Sequence, residues 1–151
     1  MPQQQPARHR HHRLGVAILA TASILAVAGI FGSPATAQTS KRVVSEAHNP
    51  SLGKTVLTAD NGLTLYSLSA EVNGRFICKG SCLKDWHPLV VAKGVKPTGP
   101  VALGTIKRPD SGRRQVTFDG RPLYTFDADS RKGDANGEGI KDVGTWHAAT
   151  P

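Results

Sequence analysis

The sequence predicts a mainly β protein: two tandem hairpin-plus-loop repeats forming one compact antiparallel domain with little helix. Three observations carry this. Residues 120–129, GRPLYTFDAD, have an earlier and looser copy at 62–71, GLTLYSLSAE. Each copy is introduced by a dipeptide, Asn61-Gly62 or Asp119-Gly120, that favours the positive φ angles of a tight hairpin turn. Each is followed by a Trp-His pair, Trp86-His87 in the first copy and Trp146-His147 in the second. Tyr124 and Phe126 are two apart, as are Tyr66 and Leu68, so on a strand each pair faces one way. An aromatic at that spacing is expected in the core.

The chain opens with a polar, basic stretch containing Arg8, Arg10 and Arg13 and no acid. Residues 14–31 carry no charge, and Ala35-Thr36-Ala37 follows. A charged region, an apolar run and a small-x-small site read as a secretory signal over 1–37, cut after Ala37. The alternative is an uncleaved anchor, because a run of this length nearly spans a bilayer. Either reading puts the domain outside, with the basic flank in the cytoplasm. The first cysteine after this run is Cys78, so a lipid-modified N-terminal cysteine is not expected. Of 19 basic residues, 16 remain after the three arginines are removed, against 11 acids, a net charge of +5.

Residues 38–52 have few large apolar side chains and contain Asn49-Pro50, and read as a flexible tether. A single domain over 53–150 follows, built from repeats at about 54–92 and 103–150. Residues 54–59 and 63–68 make the first hairpin. Residues 76–77 return to the core, 83–86 form one helical turn at most, and 89–92 form a short strand. The Pro- and Gly-rich segment 93–100 reads as a linker between the copies. Strands at 103–107, 113–118 and 122–126 form a meander, with a strong turn at 109–112. Pro122 lacks a backbone donor, so its strand is expected at an edge. The Gly-rich stretch 130–144 is a loop that packs by hydrogen bonds, and 146–149 is the last strand. The pattern does not choose between a sandwich and a barrel.

Tyr124, Phe126 and Asp129 fit a Tyr-x-(Phe/Trp/Tyr)-x-x-Asp signature, with Tyr66, Leu68 and Glu71 in the first copy. With Cys78, Cys82, Trp86 and the glycines of residues 133–139, this resembles a bacterial secreted-repeat or predicted lipoprotein family of unknown function. The first copy departs from the signature at Leu68 and Glu71. The resemblance implies an exported domain and no particular reaction.

Two cysteines in an exported chain, with none left over, argue for one bridge between Cys78 and Cys82. Their spacing is awkward on a regular helix, and Gly80 permits a tighter loop. The competing reading is a thiol-redox or Cu/Zn site of Cys78, Cys82 and His87. Asp127, Asp129, Asp134, Asn136 and Glu138 are acid-rich, but an EF-hand would need a Glu where Thr145 stands. They are expected to accept bonds from backbone donors of their loop. Lys107, Arg108, Arg113 and Arg114 bracket one turn, which reads either as a solvated turn or as a basic contact patch suited to an anionic envelope polymer or lipid surface. Export argues against a nucleic-acid partner. No nucleophile–base arrangement and no nucleotide signature stand out, so neither catalysis nor a cofactor is expected. The expected function is that of an exported cell-envelope protein, a non-catalytic binding or structural module. The alternative is thiol-redox or metal handling by the Cys-x3-Cys pair.

Overall fold

The computed structural model describes residues 37–151, which form mainly β structure. The reading of 1–37 as a signal lies outside the described residues, Ala37 apart. The strands in chain order are β1 Thr39–Arg42, β2 Val44–Asn49, β3 Lys54–Ala59, β4 Tyr66–Leu68, β5 Trp86–Pro88 and β6 Val90–Val91. They continue as β7 Val95–Thr98, β8 Leu103–Lys107, β9 Arg114–Phe118, β10 Arg121–Pro122, β11 Tyr124–Phe126 and β12 Trp146–Ala148. One 3-10 helix, Gly80–Lys84, holds Cys82. Among the described residues no helix is long and apolar enough to cross a membrane.

The two hairpins differ at their turns. Asp119 and Gly120 both take positive φ, +48° and +70°, which suits a two-residue turn. In the first copy only Gly62 does, at +85°, and its N–H donates to the Ala59 carbonyl. Asp60 and Asn61 therefore turn the chain, and Gly62 supplies the left-handed residue after them.

Residues 38–52 are not a tether. β2 pairs antiparallel with β3 from Val44↔Ala59 to Asn49↔Lys54, and β1 pairs in parallel with β7 from Thr39↔Val95 to Arg42↔Thr98. Val43 and Val44 are buried where β1 gives way to β2. The segment looks unstructured in sequence because every residue of β1 is exposed, so backbone bonds hold that strand without an apolar face. The linker reading of 93–100 changes as well, since four of its residues are β7, of which only Pro97 is buried.

The chain from 122 to 126 is split between two sheets. β10 pairs with β9, whereas β11 joins a four-stranded sheet of order β12-β4-β11-β5. β9 also carries β8 along its whole length and β6 at Gln115 and Arg114. Neither four-stranded sheet closes into a barrel. The core divides accordingly. Aliphatic residues of both copies, Val44, Leu57, Leu65, Val116 and Leu123 among them, fill one cluster. The tyrosines and tryptophans fill the other.

A pseudo-twofold axis passes between Tyr66 and Tyr124, which are direct partners across β4 and β11. The Trp-His strand of each copy lies beside the Tyr strand of the other. Trp146 pairs with Leu68 and Trp86 with Phe126. The backbone bonds repeat on both sides of the axis. Leu57, Leu65 and Ala149 form a closed ring of three N–H···O bonds at 2.8–2.9 Å. Val116, Leu123 and Leu89 form the same ring at 2.8–3.0 Å. Each ring takes two members from one copy and one from the other. The register also makes β2 the counterpart of β8, with Asn49 where the second copy has Arg108.

Candidate functional site

The signature residues sit inside, and the copies exchange them. The Tyr66 hydroxyl donates to Asp129 Oδ2 at 2.6 Å, and the Tyr124 hydroxyl donates to Glu71 Oε2 at 2.8 Å. Tyr66, Tyr124 and Glu71 have no exposed surface, and Asp129 is buried. Burial, then the facing carboxylate, pushes both phenols well above their ordinary pKa. The second carboxylate oxygen of each acid ties down the loop that follows it. Glu71 Oε1 accepts from Ile77 and Cys78 N–H at 2.6 and 2.7 Å, and Asp129 Oδ1 accepts from Asn136 N–H at 2.9 Å. The spacing of the signature is thereby explained. Tyr and the residue two on face the aromatic cluster, and the acid after the turn reaches the other copy's Tyr. Phe126 is half-buried and stacks on Trp86 at 4.4 Å, while Leu68 is fully buried.

Trp86 and Trp146 stack face to face, with centroids 3.7 Å apart and planes 8° from parallel. Each meets its own copy's tyrosine edge-on, Tyr66–Trp86 at 5.4 Å and Tyr124–Trp146 at 5.2 Å. The paired His residues lie on the outer face. His87 Nε2 is 3.3 Å from Asp127, and His147 Nδ1 is 3.0 Å from Glu138.

Arg108 is not part of a contact patch. Its side chain is 2% exposed, and its guanidinium reaches five acceptors. Nε and Nη2 hold Asp110 at 2.9 and 2.6 Å. Nη1 donates to Gln115 Oε1 at 2.6 Å and to the Tyr124 hydroxyl at 3.3 Å. Nη2 also reaches the Cys78 carbonyl at 2.9 Å, and the guanidinium lies 4.8 Å from the Phe76 ring centroid. Burial alone would lower the Arg108 pKa, but Asp110 and Tyr124 hold it above its ordinary value. The Arg108 fork in turn holds Asp110 below the usual carboxylate range. Sequence reasoning took this arginine with its basic neighbours; Asp110 two residues on was the available hint.

Cys78 and Cys82 are bonded, with Cα atoms 5.3 Å apart. The bridge fixes Cys78, whose N–H serves Glu71 and whose carbonyl serves Arg108. Paired sulfurs offer no thiolate to a metal. Among the described residues no group of three or more His, Cys, Asp and Glu is placed to hold an ion. In the second copy Asn136 takes the place of Cys78, and its side chain closes the loop on the Ala128 carbonyl at 3.0 Å. Replacing both cysteines with Ser is expected to lower stability by about 2 kcal/mol, the value for so small a ring. Chemical denaturation of the two proteins measures it. A loss of twice that size would mean that the bridge supports Glu71 and Arg108 as well as its own loop.

The acid-rich loop also bonds inward. Asp134 accepts from Ser130 and Arg131 N–H at 2.9 and 2.8 Å, and these bonds lower its pKa. Glu138 accepts from Ala148 N–H at 2.7 Å. Burial opposes ionisation of Glu138, but His147 and that N–H prevail and hold it below its usual value.

What remains at the surface is Lys107, Arg113 and Arg114. With Lys93 they line a groove of about 540 Å³ whose wall is Val90, Val91 and Ala92 on and beside β6. The turn that carries them is pinned from within, because Arg108 grips Asp110 at its tip. Its backbone closes through Arg108 N–H to the Arg113 carbonyl and Gly112 N–H to the Arg108 carbonyl. Arg114 donates to Thr105 Oγ1, which sets its guanidinium over β8. No acid lines the groove. Lys93 was missed in sequence because its segment read as a linker.

No curated protein and no solved structure matches the chain. One family model does match part of it: residues 104–150, from β8 to just past β12, are similar to a secreted repeat of unknown function.

Proposed function

We propose that the protein is an exported cell-envelope module that binds without catalysing, and that its contact surface is the groove of Lys93, Lys107, Arg113 and Arg114. The carrying observation is that every charged residue lining that groove is positive, on a turn anchored by a buried arginine. The secreted character of the repeat supports the compartment. The signature tyrosines and acids are bonded to each other in the interior, which supports a contact surface made of other residues. Opposite charge at a fixed concave surface draws an anionic ligand and orients it.

The test replaces Lys107, Arg113 and Arg114 together with Gln and measures binding to immobilised linear polyphosphate, with neutral dextran as control. At about 1 kcal/mol for each cation at an anionic surface, the expected loss at low salt is on the order of 100-fold. The wild-type affinity should fall as salt screens the contact. Equal binding by the two proteins would place the contact surface elsewhere.

A further inference from the structure

The basic groove does not end at Lys93 and Arg114. These two residues also line a second cleft of about 520 Å³, which continues past Lys96 along β7 and the start of β8. Together the two clefts present Lys93, Lys96, Lys107, Arg113 and Arg114, and no acidic residue lines either. Among the described residues none of the five is in an ion pair. β7, in the segment that looks in sequence like a linker, lines this second cleft together with β8 and Gln38, the residue before β1.

We infer that the groove takes a linear polyanion, a chain of repeated phosphate-type groups, laid through both clefts across Lys93 and Arg114. This rests on the proposed anion-binding function and specifies its ligand. A single small anion would be met by one cleft, and the second, which adds Lys96 to the shared Lys93 and Arg114, would have no role. A chain gains from both, because anions joined by one backbone meet the second cleft at high effective concentration. The surface fits a polymer better than a bilayer. A membrane-surface contact combines basic charge with apolar side chains that enter the lipid. The apolar side chains of the clefts, Val90, Val91, Val95 and Leu103, are half-buried wall, and among the described residues the exposed large apolar ones, Val72 and Val143, line neither cleft.

The experiment compares linear polyphosphate of many units with tripolyphosphate and with phosphatidylglycerol vesicles, using the purified protein and the variants Lys96→Gln and Arg113→Gln. Both substitutions are at exposed side chains, and unchanged circular dichroism checks the fold. The long chain is expected to bind at least ~100-fold tighter per phosphate than tripolyphosphate. Each substitution, one in each cleft, should weaken the long chain by ~5-fold, the loss for one cation. Tripolyphosphate should respond to one of them at most. If the long chain gains nothing over tripolyphosphate, or responds to one substitution only, the groove is a single-anion site and the inference is wrong. Tighter binding to vesicles at matched charge would assign the surface to lipid instead. No binding of any of the three would remove the anion-binding function itself, a distinct failure.

Discussion

Arg108→Met is expected to cost about 3–5 kcal/mol, the range for removing one partner of a buried charged network. The size follows from what is left behind. The Cys78 carbonyl and Gln115 Oε1 lose their donor, and the Tyr124 hydroxyl that donates to Glu71 loses the cation behind it. Asp110 suffers least, because its side chain is 25% exposed and water can replace the guanidinium. Methionine fills much of the volume, so the loss reports charge and hydrogen bonds more than a cavity. Arg108→Lys should recover part of it only, since an ammonium cannot span Asp110, Gln115 and Cys78 at once. Glu71→Gln in the Arg108→Met background separates the contributions. Both residues belong to one network through Tyr124, so the double variant should lose less than the two single losses added. Urea denaturation of the four proteins measures this. A loss under about 1 kcal/mol for Arg108→Met would mean that water enters and solvates the network.

The same residue shows where the sequence stops being legible. Residues 54–59 and 103–107 could be placed as strands because alternation and flanking turn residues act locally. The Asp119-Gly120 turn was readable because few residues tolerate its φ angles. Arg108 was not, because a cation beside Lys107 has only Asp110 as a local mark of burial; its other hydrogen-bond partners come from residues 78, 115 and 124. The strands β1 and β7 escaped for a related reason. Each is specified by pairing with a segment more than fifty residues away; β1 has no buried residue, and β7 has only Pro97. The repeat itself was plain, yet its exchange was not. A duplicated Tyr, acid and Trp say that two sites are alike, and nothing in the spacing says that each is completed by the other copy.

Trp146→Ala is expected to destabilise the whole domain by about 3–5 kcal/mol, as for other large buried aromatics. A domain of this size has a total of roughly 5–15 kcal/mol, so the loss is a large part of it. Trp146 is fully buried between the Trp86 ring and the edge of Tyr124, and its Nε1 donates to Asp142 at 3.3 Å. Truncation removes one half of the central stack and leaves Trp86 facing a void. The damage should not stay within residues 104–150. β12 pairs with β4, so the first copy loses support for Tyr66 and Leu68, and the Ala149 bonds to Leu57 and Leu65 loosen with it. Trp86→Ala should act alike on β11 through the opposite pairing. The two together should cost less than the sum, because both changes open the same space. Hydrogen exchange resolves the outcome. Amides of β3 and β4 should lose protection in Trp146→Ala as far as those of β9 and β11, with one unfolding midpoint for both copies. Protection that survives in the first copy while the second opens would show two independently folding repeats, contrary to the exchanged strands, the crossed Tyr–acid bonds and the shared tryptophan stack.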